Sequence, residues 1–174
     1  MLASATASMG WSADHMFTEL YSMHHRALVR LAALLVRDVP TAENVVHDSF
    51  VATHAAWQRL RNAENALAYL RQAVVNRSRS VLRHRMALDR SPPETPPDMP
   101  SAEHSWLAQL DRSAVLAALR GLPDRQREAI VLRYYADLSE AEIAATMGIS
   151  RGAVRSHTAR GMAALRAALE QESW

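Results

Sequence analysis

Hydrophobic residues recur at three- and four-residue intervals through both halves of the chain, which is the spacing of amphipathic helices. The first such run begins near Asp14 and carries a regular apolar stripe: Phe17, Leu20, Tyr21, Leu28, Leu31, Leu34 and Leu35. Asp38-Val39-Pro40 interrupts it, and Thr41 is the predicted N-cap of a second helix. In that helix Val46, Phe50, Thr53 and Trp57 share one face. A third helix is predicted from about Ala66. The pattern predicts three packed helices.

Residues 91–100 break this pattern, because five of these ten residues are proline. Proline removes a backbone donor and fixes φ, so such a run favours an extended path over helix or sheet. We therefore predict a disordered lead over residues 1–13, a first domain over 14–88, a flexible linker over 89–104 and a second domain over 105–174.

The second domain contains the most specific local pattern of the chain. Ser139 and Glu142 form an S-x-x-E capping box, Gly148 stands where a helix must end, and Ser150 can cap the next helix. Five further residues with side chains suited to DNA follow: Arg151, Arg155, Ser156, His157 and Arg160. No acidic residue occurs between 150 and 169. The pattern predicts a helix-turn-helix with a basic recognition helix, although a plain helical hairpin with solvated arginines remains the alternative.

Composition supports an all-α fold. Of the 174 residues 49% are hydrophobic but only 6% aromatic, and alanine is frequent. The 20 basic residues are all arginine, concentrated between 71 and 90 and again after 150, while the stretch between 91 and 111 has acids only. Cysteine is absent, and we recognise neither a signal peptide nor a membrane span. We expect a cytoplasmic protein with no membrane insertion.

The sequence offers no catalytic site. Its eight histidines lack the spacing of metal ligands, and no phosphate-binding glycine loop is present. We therefore predict no enzyme activity, no catalytic residues, no bound metal and no cofactor.

Two blocks of sequence resemble a known family. The stretch Ala42-Glu43-Asn44-Val45-Val46-His47-Asp48-Ser49-Phe50 is similar to conserved region 2.2, and Leu122-Pro123-Asp124-Arg125-Gln126-Arg127-Glu128 through Arg160 is similar to region 4, of the extracytoplasmic-function (ECF, group 4) sigma factors. These belong to the sigma-70 family of bacterial RNA polymerase subunits. The resemblance extends from about Phe17 to Leu169. His157 and Thr158 stand where many members have Arg-Leu, whereas an actinobacterial branch similar to sigma-E has Gln-Thr or a similar pair there.

The resemblance implies two small helical domains, sigma region 2 and sigma region 4, joined by the acidic proline-rich linker. It implies that the protein binds bacterial core RNA polymerase, recognises the −10 and −35 promoter elements and promotes DNA melting. The polymerase-binding residues would be Glu43, His47, Asp48 and Phe50. Asn44 and His47 depart from the family pattern, which has an acid and a glutamine there.

The same resemblance places Asn76 at the family's contact to a base flipped out of the −10 element. Arg77, Arg79, Arg83 and Arg85 are candidates for phosphate contacts beside it. The predicted −35 readers are Ser150, Arg151, Arg155, Ser156, His157 and Arg160. The resemblance also implies an anti-sigma factor as a further partner. The main alternative is a stand-alone helix-turn-helix transcriptional regulator, which would leave the region 2.2 block unexplained.

Overall fold

The computed structural model describes residues 3–60, 62–88 and 113–172, with side chains between 14 and 171. The predicted linker lies outside the described residues. The helices are α1 (Ala3–Val36), α2 (Val39–Leu60), α3 (Ala63–Ala87), α4 (Ala114–Gly121), α5 (Asp124–Ile130), α6 (Glu140–Met147) and α7 (Arg151–Glu172), with a π-helical turn (Val131–Tyr135) after α5. The described ranges contain no strand, so the all-α prediction is confirmed.

Helices α1, α2 and α3 pack against one another as a three-helix unit. Its core includes the predicted inward positions Val46, Phe50 and Thr53 of α2, together with Leu70 and Val74 of α3, all buried. Burying such side chains contributes about 1.5–3 kcal/mol each relative to exposure. The hydrophobic spacing therefore identified the packed faces of this unit correctly.

The helix boundaries differ from the prediction at three points. Helix α1 continues back to Ala3, so the expected disorder is not found over residues 3–13, where several alanines favour helix without adding to the apolar stripe. Helix α2 begins at Val39 because the Asp38 carboxylate, not Thr41, is the cap: it accepts a hydrogen bond of 3.0 Å from the Thr41 amide.

Helix α3 also begins before Ala66, at Ala63. Asn62 has an extended backbone, and its side chain accepts a hydrogen bond from the Asn65 amide at 2.8 Å. Asparagine is among the preferred N-cap residues, so the chain enters the third helix immediately after the second ends.

The C-terminal unit is built around α7, which packs against α4, α5 and α6. Gly161 of α7 allows α5 to approach closely: a Cβ atom there would lie 2.5 Å from Ile130 Cδ1 and 3.3 Å from Gln126 Cβ. The π-helical turn ends with an i to i+5 bond of 3.1 Å from the Ala136 amide to the Val131 carbonyl. The turn directs the chain back towards α6.

The two units are in contact with each other. Helix α6 packs on α3, and α1 packs on both α5 and the π-helical turn. As a result, one continuous cluster of buried hydrophobic residues includes Leu35 and Val75 of the first unit as well as Leu132 and Met147 of the second. Sequence reasoning expected two domains on a flexible tether and did not foresee this contact.

Candidate nucleic-acid interface

The helix-turn-helix forms as its local sequence predicts. The Ser139 side chain accepts a hydrogen bond from the Glu142 amide at 3.2 Å, and the Glu142 carboxylate accepts one from the Ser139 amide at 2.8 Å. Gly148 has a φ of 65°, a left-handed conformation that glycine adopts without strain. Ser150 Oγ then accepts from the Ala153 amide at 3.1 Å, which begins α7. Val154 is buried and fixes α7 against α6.

The recognition helix presents a basic surface. Arg151, Arg155, Ser156 and Arg160 are all exposed, and at 3.6 residues per turn they extend around about half of the helix circumference, while His157 is half-buried. Because α7 starts at Arg151 with Ser150 as its N-cap, two of the predicted DNA contacts lie at the helix N-terminus, and helix N-termini favour anions such as phosphate. The Arg155 side chain lies 3.3 Å from the Glu140 carboxylate of α6, an exposed pair that orients the guanidinium more than it stabilises the fold.

Helix α3 divides its polar residues between two faces. Asn76, Arg77 and Arg83 are exposed, as a nucleic-acid contact requires. Arg79 is different: it faces the C-terminal unit, forms an ion pair with Glu128 of α5 and has a side chain only 21% exposed. The structure thus brings three of the five predicted −10 residues to one accessible surface and leaves Arg79 engaged within the protein.

Arg85 is a structural residue rather than a DNA contact. Its guanidinium donates hydrogen bonds to the Val36 carbonyl at 2.7 Å, to Thr41 Oγ1 at 2.9 Å and to the Asp38 carboxylate at 3.3 Å. It therefore closes the turn between α1 and α2 from the far end of α3, and the expectation of a phosphate contact is wrong in this structure.

The candidate polymerase-binding residues also separate by burial. His47 and Asp48 are exposed on α2 and Glu43 is half-buried, so all three can reach a partner. Phe50 is 3% exposed and packs edge-to-face on Phe17 at a centroid distance of 5.9 Å. The assignment of Phe50 to a binding surface is therefore corrected: it is a core residue.

Sequence reasoning missed three residues. Val51 is 57% exposed beside Asp48, an apolar side chain on an otherwise polar helix face. Arg127 and Glu128, both part of the region 4 block, are buried at 1% and 5% exposure. No local signal separated these two from the rest of α5, because five of its seven residues are polar or charged.

Nearby residues and burial shift the pKa values of Glu142, Arg37 and Tyr135. The pKa of Glu142 is lowered by the hydrogen bonds from Ser139. Burial lowers the pKa of Arg37, as does the neighbouring Arg127, while Asp124 at 3.8 Å opposes the shift. Burial raises the pKa of Tyr135 against an opposing effect of Arg30, whose side chain hydrogen-bonds to it across the two units.

Neither a metal site nor a membrane span is found in the part of the chain that the structure describes. No group of three or more histidine, aspartate or glutamate side chains converges there in a manner that could hold a metal ion. No described helix is both long and apolar enough to cross a bilayer. The convergent chemistry of these residues is basic and amide-bearing, which suits nucleic acid.

Comparison with known proteins agrees with this geometry. Residues 20–87 match the family model for sigma-70 region 2, and residues 112–165 match that for sigma-70 region 4. The chain is 34% identical over 154 residues to an RNA polymerase sigma-E factor of Streptomyces avermitilis, covering 88% of this chain and 85% of the relative. It is 33% identical to the ECF RNA polymerase sigma factor SigM of Mycobacterium tuberculosis, covering 86% and 74%.

Two solved structures resemble the whole fold. Sigma factor RpoE of Bartonella quintana, in complex with the anti-sigma factor NepR, superposes with a TM-score of 0.70 at 26% identity, covering 88% of this chain and 96% of RpoE. CnrH, in complex with the cytosolic domain of CnrY, superposes with a TM-score of 0.64 at 26% identity, covering 89% and 88%. With region 2 and region 4 both present and in order, the chain belongs to the ECF sigma factors of the sigma-70 family.

Proposed function

We propose that this sigma factor divides its work among three surfaces: α2 for core RNA polymerase, the exposed face of α3 for the −10 element, and α7 for the −35 element. One observation supports the assignment: on each of these helices the polar candidate residues are exposed, whereas neighbouring residues of the same helix are buried. The chemistry of RNA synthesis belongs to the polymerase, so no catalytic residue of this chain is needed. Its place of action is the cytoplasm, where polymerase and promoter DNA are found.

Polymerase binding is assigned to the α2 surface made by Glu43, His47, Asp48 and Val51. An exposed valine flanked by ionisable groups suits a protein interface with an apolar centre and a polar rim. Pull-down of bacterial core polymerase should therefore succeed with the wild type and fail with Asp48→Arg. Glu170→Arg is the matched control, because it makes the same charge change at an exposed position of α7 far from α2. Equal binding by both variants would contradict the assignment.

Recognition of the −35 element is assigned to the exposed face of α7. Arginine binding to guanine in the major groove discriminates against the wrong base by about 1–3 kcal/mol, roughly 5- to 150-fold. Arg155→Ala should therefore lower the yield of run-off transcript from a promoter with the matched −35 sequence. It should also reduce the ratio of transcript yields between promoters with matched and mutated −35 sequences. Arg166→Ala removes an exposed arginine from the same helix at a distance from the turn and should change neither quantity.

Recognition of the −10 element is assigned to Asn76, supported by Arg77 and Arg83. A flipped base needs hydrogen bonds to its edge, and its melted strand needs cationic side chains along the backbone. Asn76→Ala should reduce promoter opening, measured by permanganate reactivity of unpaired thymines, without reducing polymerase binding. Gln171→Ala removes an exposed amide elsewhere and serves as the control. Unchanged opening in Asn76→Ala would remove this residue from the site.

The proposal includes an anti-sigma factor because of the two solved structures. RpoE was solved with the anti-sigma factor NepR, and CnrH was solved with the cytosolic domain of CnrY. The tagged protein, purified from its native cells before its promoters are induced, should carry a small partner protein instead of polymerase. The stand-alone regulator is not favoured, because the region 2 match over residues 20–87 has no role in it.

A further inference from the structure

The two units of this protein are joined by charged contacts that centre on α5. Arg127 Nη2 donates to the Leu35 carbonyl of α1 at 3.1 Å, and Arg37 lies 3.8 Å from Asp124. Glu128 forms its ion pair with Arg79 of α3. Arg127 and Glu128 are almost completely buried, so their contacts are largely shielded from solvent and from salt, whereas the side chains of Arg37 and Asp124 are 37% and 41% exposed. We use the name self-docked form for this arrangement.

The self-docked form is incompatible with occupation of a whole promoter. The centres of a −10 and a −35 element are about 25 base pairs apart, which is roughly 85 Å along B-form DNA at 3.4 Å per base pair. In the structure α6 packs directly on α3, and α7 packs on α6. Packed helix axes lie about 8–10 Å apart, so α7 is only roughly 20 Å from α3. Both elements can be read only after the units separate.

The chain has the length to allow that separation. The roughly 25 residues between Leu88 and Ser113 can span at most about 80–90 Å when fully extended. The contact between the units is also imperfect. A cavity of about 210 Å³ lies between α3 and α5. Ser78 Oγ, Arg79 Nε and Arg127 Nε are buried beside it with no hydrogen-bond partner in the described protein. A buried polar group without a hydrogen-bond partner destabilises the state that contains it, which offsets part of the favourable docking energy.

Arg79 connects this contact to DNA binding. It lies on the same helix as Asn76 and Arg77, between the exposed DNA face and the C-terminal unit. In the self-docked form its guanidinium faces the Glu128 carboxylate, which, like a backbone phosphate, is an anion with two oxygen acceptors for a guanidinium. One guanidinium cannot make both contacts fully, so docking and strand binding compete for it.

The arrangement is not peculiar to this chain. Neither unit contains half of the 174 residues, so a TM-score of 0.70 over 88% of the chain requires both units to superpose together on RpoE bound to NepR. A sigma factor crystallised away from polymerase thus has a similar placement of its two units. In the present protein contacts between its own residues hold the two units in this placement.

From these observations we infer that region 4 covers the Arg79 side of region 2 in the free protein, with Glu128 acting as an internal competitor of the −10 strand. The inference rests on the proposed −10 role of α3. Docking stabilises a state that cannot bind DNA, and by linkage DNA binding opposes docking. Removing the Glu128 charge should therefore open the protein and expose Arg79 to nucleic acid.

Fluorescence energy transfer between the two units tests the inference. The chain has no cysteine, so Met23→Cys on α1 and Arg166→Cys on α7 provide two exposed labelling sites. Free wild-type protein should show high transfer efficiency, and Glu128→Gln should lower it. The charge-swapped double variant Arg79→Glu with Glu128→Arg should restore high transfer, which a merely misfolded protein would not do. Glu170→Gln is the control and should resemble the wild type.

A binding measurement separates opening from competition. A fluorescent single strand carrying the −10 sequence should bind Glu128→Gln about tenfold more tightly than wild type, as expected when a partly buried charge partner is removed. Equally low transfer in wild type and Glu128→Gln would overturn self-docking. Lower transfer without tighter strand binding would overturn the competition for Arg79. Both results are read without polymerase, so they are independent of whether Asp48→Arg abolishes polymerase binding.

Discussion

Replacement of the buried Arg127 by methionine should destabilise the protein strongly. The guanidinium donates to the Leu122 carbonyl at 3.0 Å and to the Leu35 carbonyl at 3.1 Å, and it pairs with Asp124 at 2.7 Å. The Leu35 carbonyl belongs to the last turn of α1, where the helix itself supplies no donor. Methionine preserves most of the aliphatic volume, so the substitution removes mainly these hydrogen bonds.

The expected loss follows from the groups left without a partner. Two buried carbonyls without a donor cost about 1–3 kcal/mol each. The half-exposed Asp124 can be resolvated, so loss of its ion pair adds little. Removing the guanidinium also removes the cost of its unpartnered Nε atom, which lowers the total. We therefore expect a decrease of about 2–4 kcal/mol in the free energy of unfolding, a large fraction of the roughly 5–15 kcal/mol typical of a protein.

Equilibrium unfolding in urea, followed by far-ultraviolet circular dichroism, measures this decrease. Arg125→Met is the matched control, because it makes the same change two residues away in α5 at a side chain that is 44% exposed. The Arg125 side chain makes two weaker contacts, at 3.4 Å to the Met147 carbonyl and at 3.6 Å to the Glu128 carboxylate, which keeps its Arg79 partner, so we expect a decrease of at most about 1 kcal/mol. Similar effects of the two substitutions would refute the reasoning, because burial and backbone hydrogen bonds would then not distinguish the two arginines.

Three further outcomes follow from local geometry. Gly161→Ala should lower the free energy of unfolding by up to about 2 kcal/mol, because overpacking against Ile130 outweighs the roughly 1 kcal/mol gain in helix propensity. Gly152→Ala meets no close atom, so it should raise the free energy of unfolding by a few tenths to about 1 kcal/mol. Thermal unfolding measures both changes. The hydrogen bonds that lower the pKa of Glu142 stabilise the folded protein at pH values above the unfolded-state pKa of about 4.3. This stabilisation is lost as the pH falls through the lower pKa of the folded state. Glu142→Gln should therefore show a smaller loss of stability on acidification than wild type. Arg85→Met should lower the unfolding free energy by about 2–3 kcal/mol while leaving −10 strand affinity per folded molecule unchanged; weaker strand binding would return this residue to the DNA surface.

Local signals predicted the helix-turn-helix almost completely. The capping box, Gly148 and the Ser150 cap act through contacts between residues three or four positions apart. Both partners of each contact therefore lie within one short stretch of sequence, where a local pattern can identify them. Helix α1 shows the limit of the same approach. Its N-terminal part lacks an apolar stripe, and a rule based on amphipathic spacing therefore started the helix at Asp14, whereas backbone propensity extends it to Ala3.

Phe50 shows that periodicity and resemblance can disagree. Its spacing from Val46 placed it on the inward face of α2, while its position in the region 2.2 block suggested a binding role. The buried ring agrees with the spacing. A block of residues shared by a family contains both surface and core positions, and only the helical period separates them.

The arginines of α3 could not be sorted from the sequence. Each has the same side chain and a similar neighbourhood, yet Arg77 and Arg83 are exposed, Arg79 reaches Glu128 and Arg85 closes a turn formed by residues more than forty positions earlier. The deciding partners are distant in sequence, so no local pattern carries them. Only a structure that fixes the helix orientations distinguishes a DNA contact from a structural cation.

Arg79 and Glu128 finally connect the stability of the fold to its function. An ion pair that is mostly removed from water is sensitive to any group that can replace one partner, because the remaining charge must find a new counter-ion. A nucleic-acid strand arriving at α3 supplies such a counter-ion for Arg79 and leaves the buried Glu128 with its longer contact of 3.6 Å to Arg125. The C-terminal unit then lowers its free energy by moving away and exposing Glu128 to solvent. Strand binding and separation of the two units are therefore expected to favour each other, and a sigma factor that has separated can place α7 on the distant −35 element.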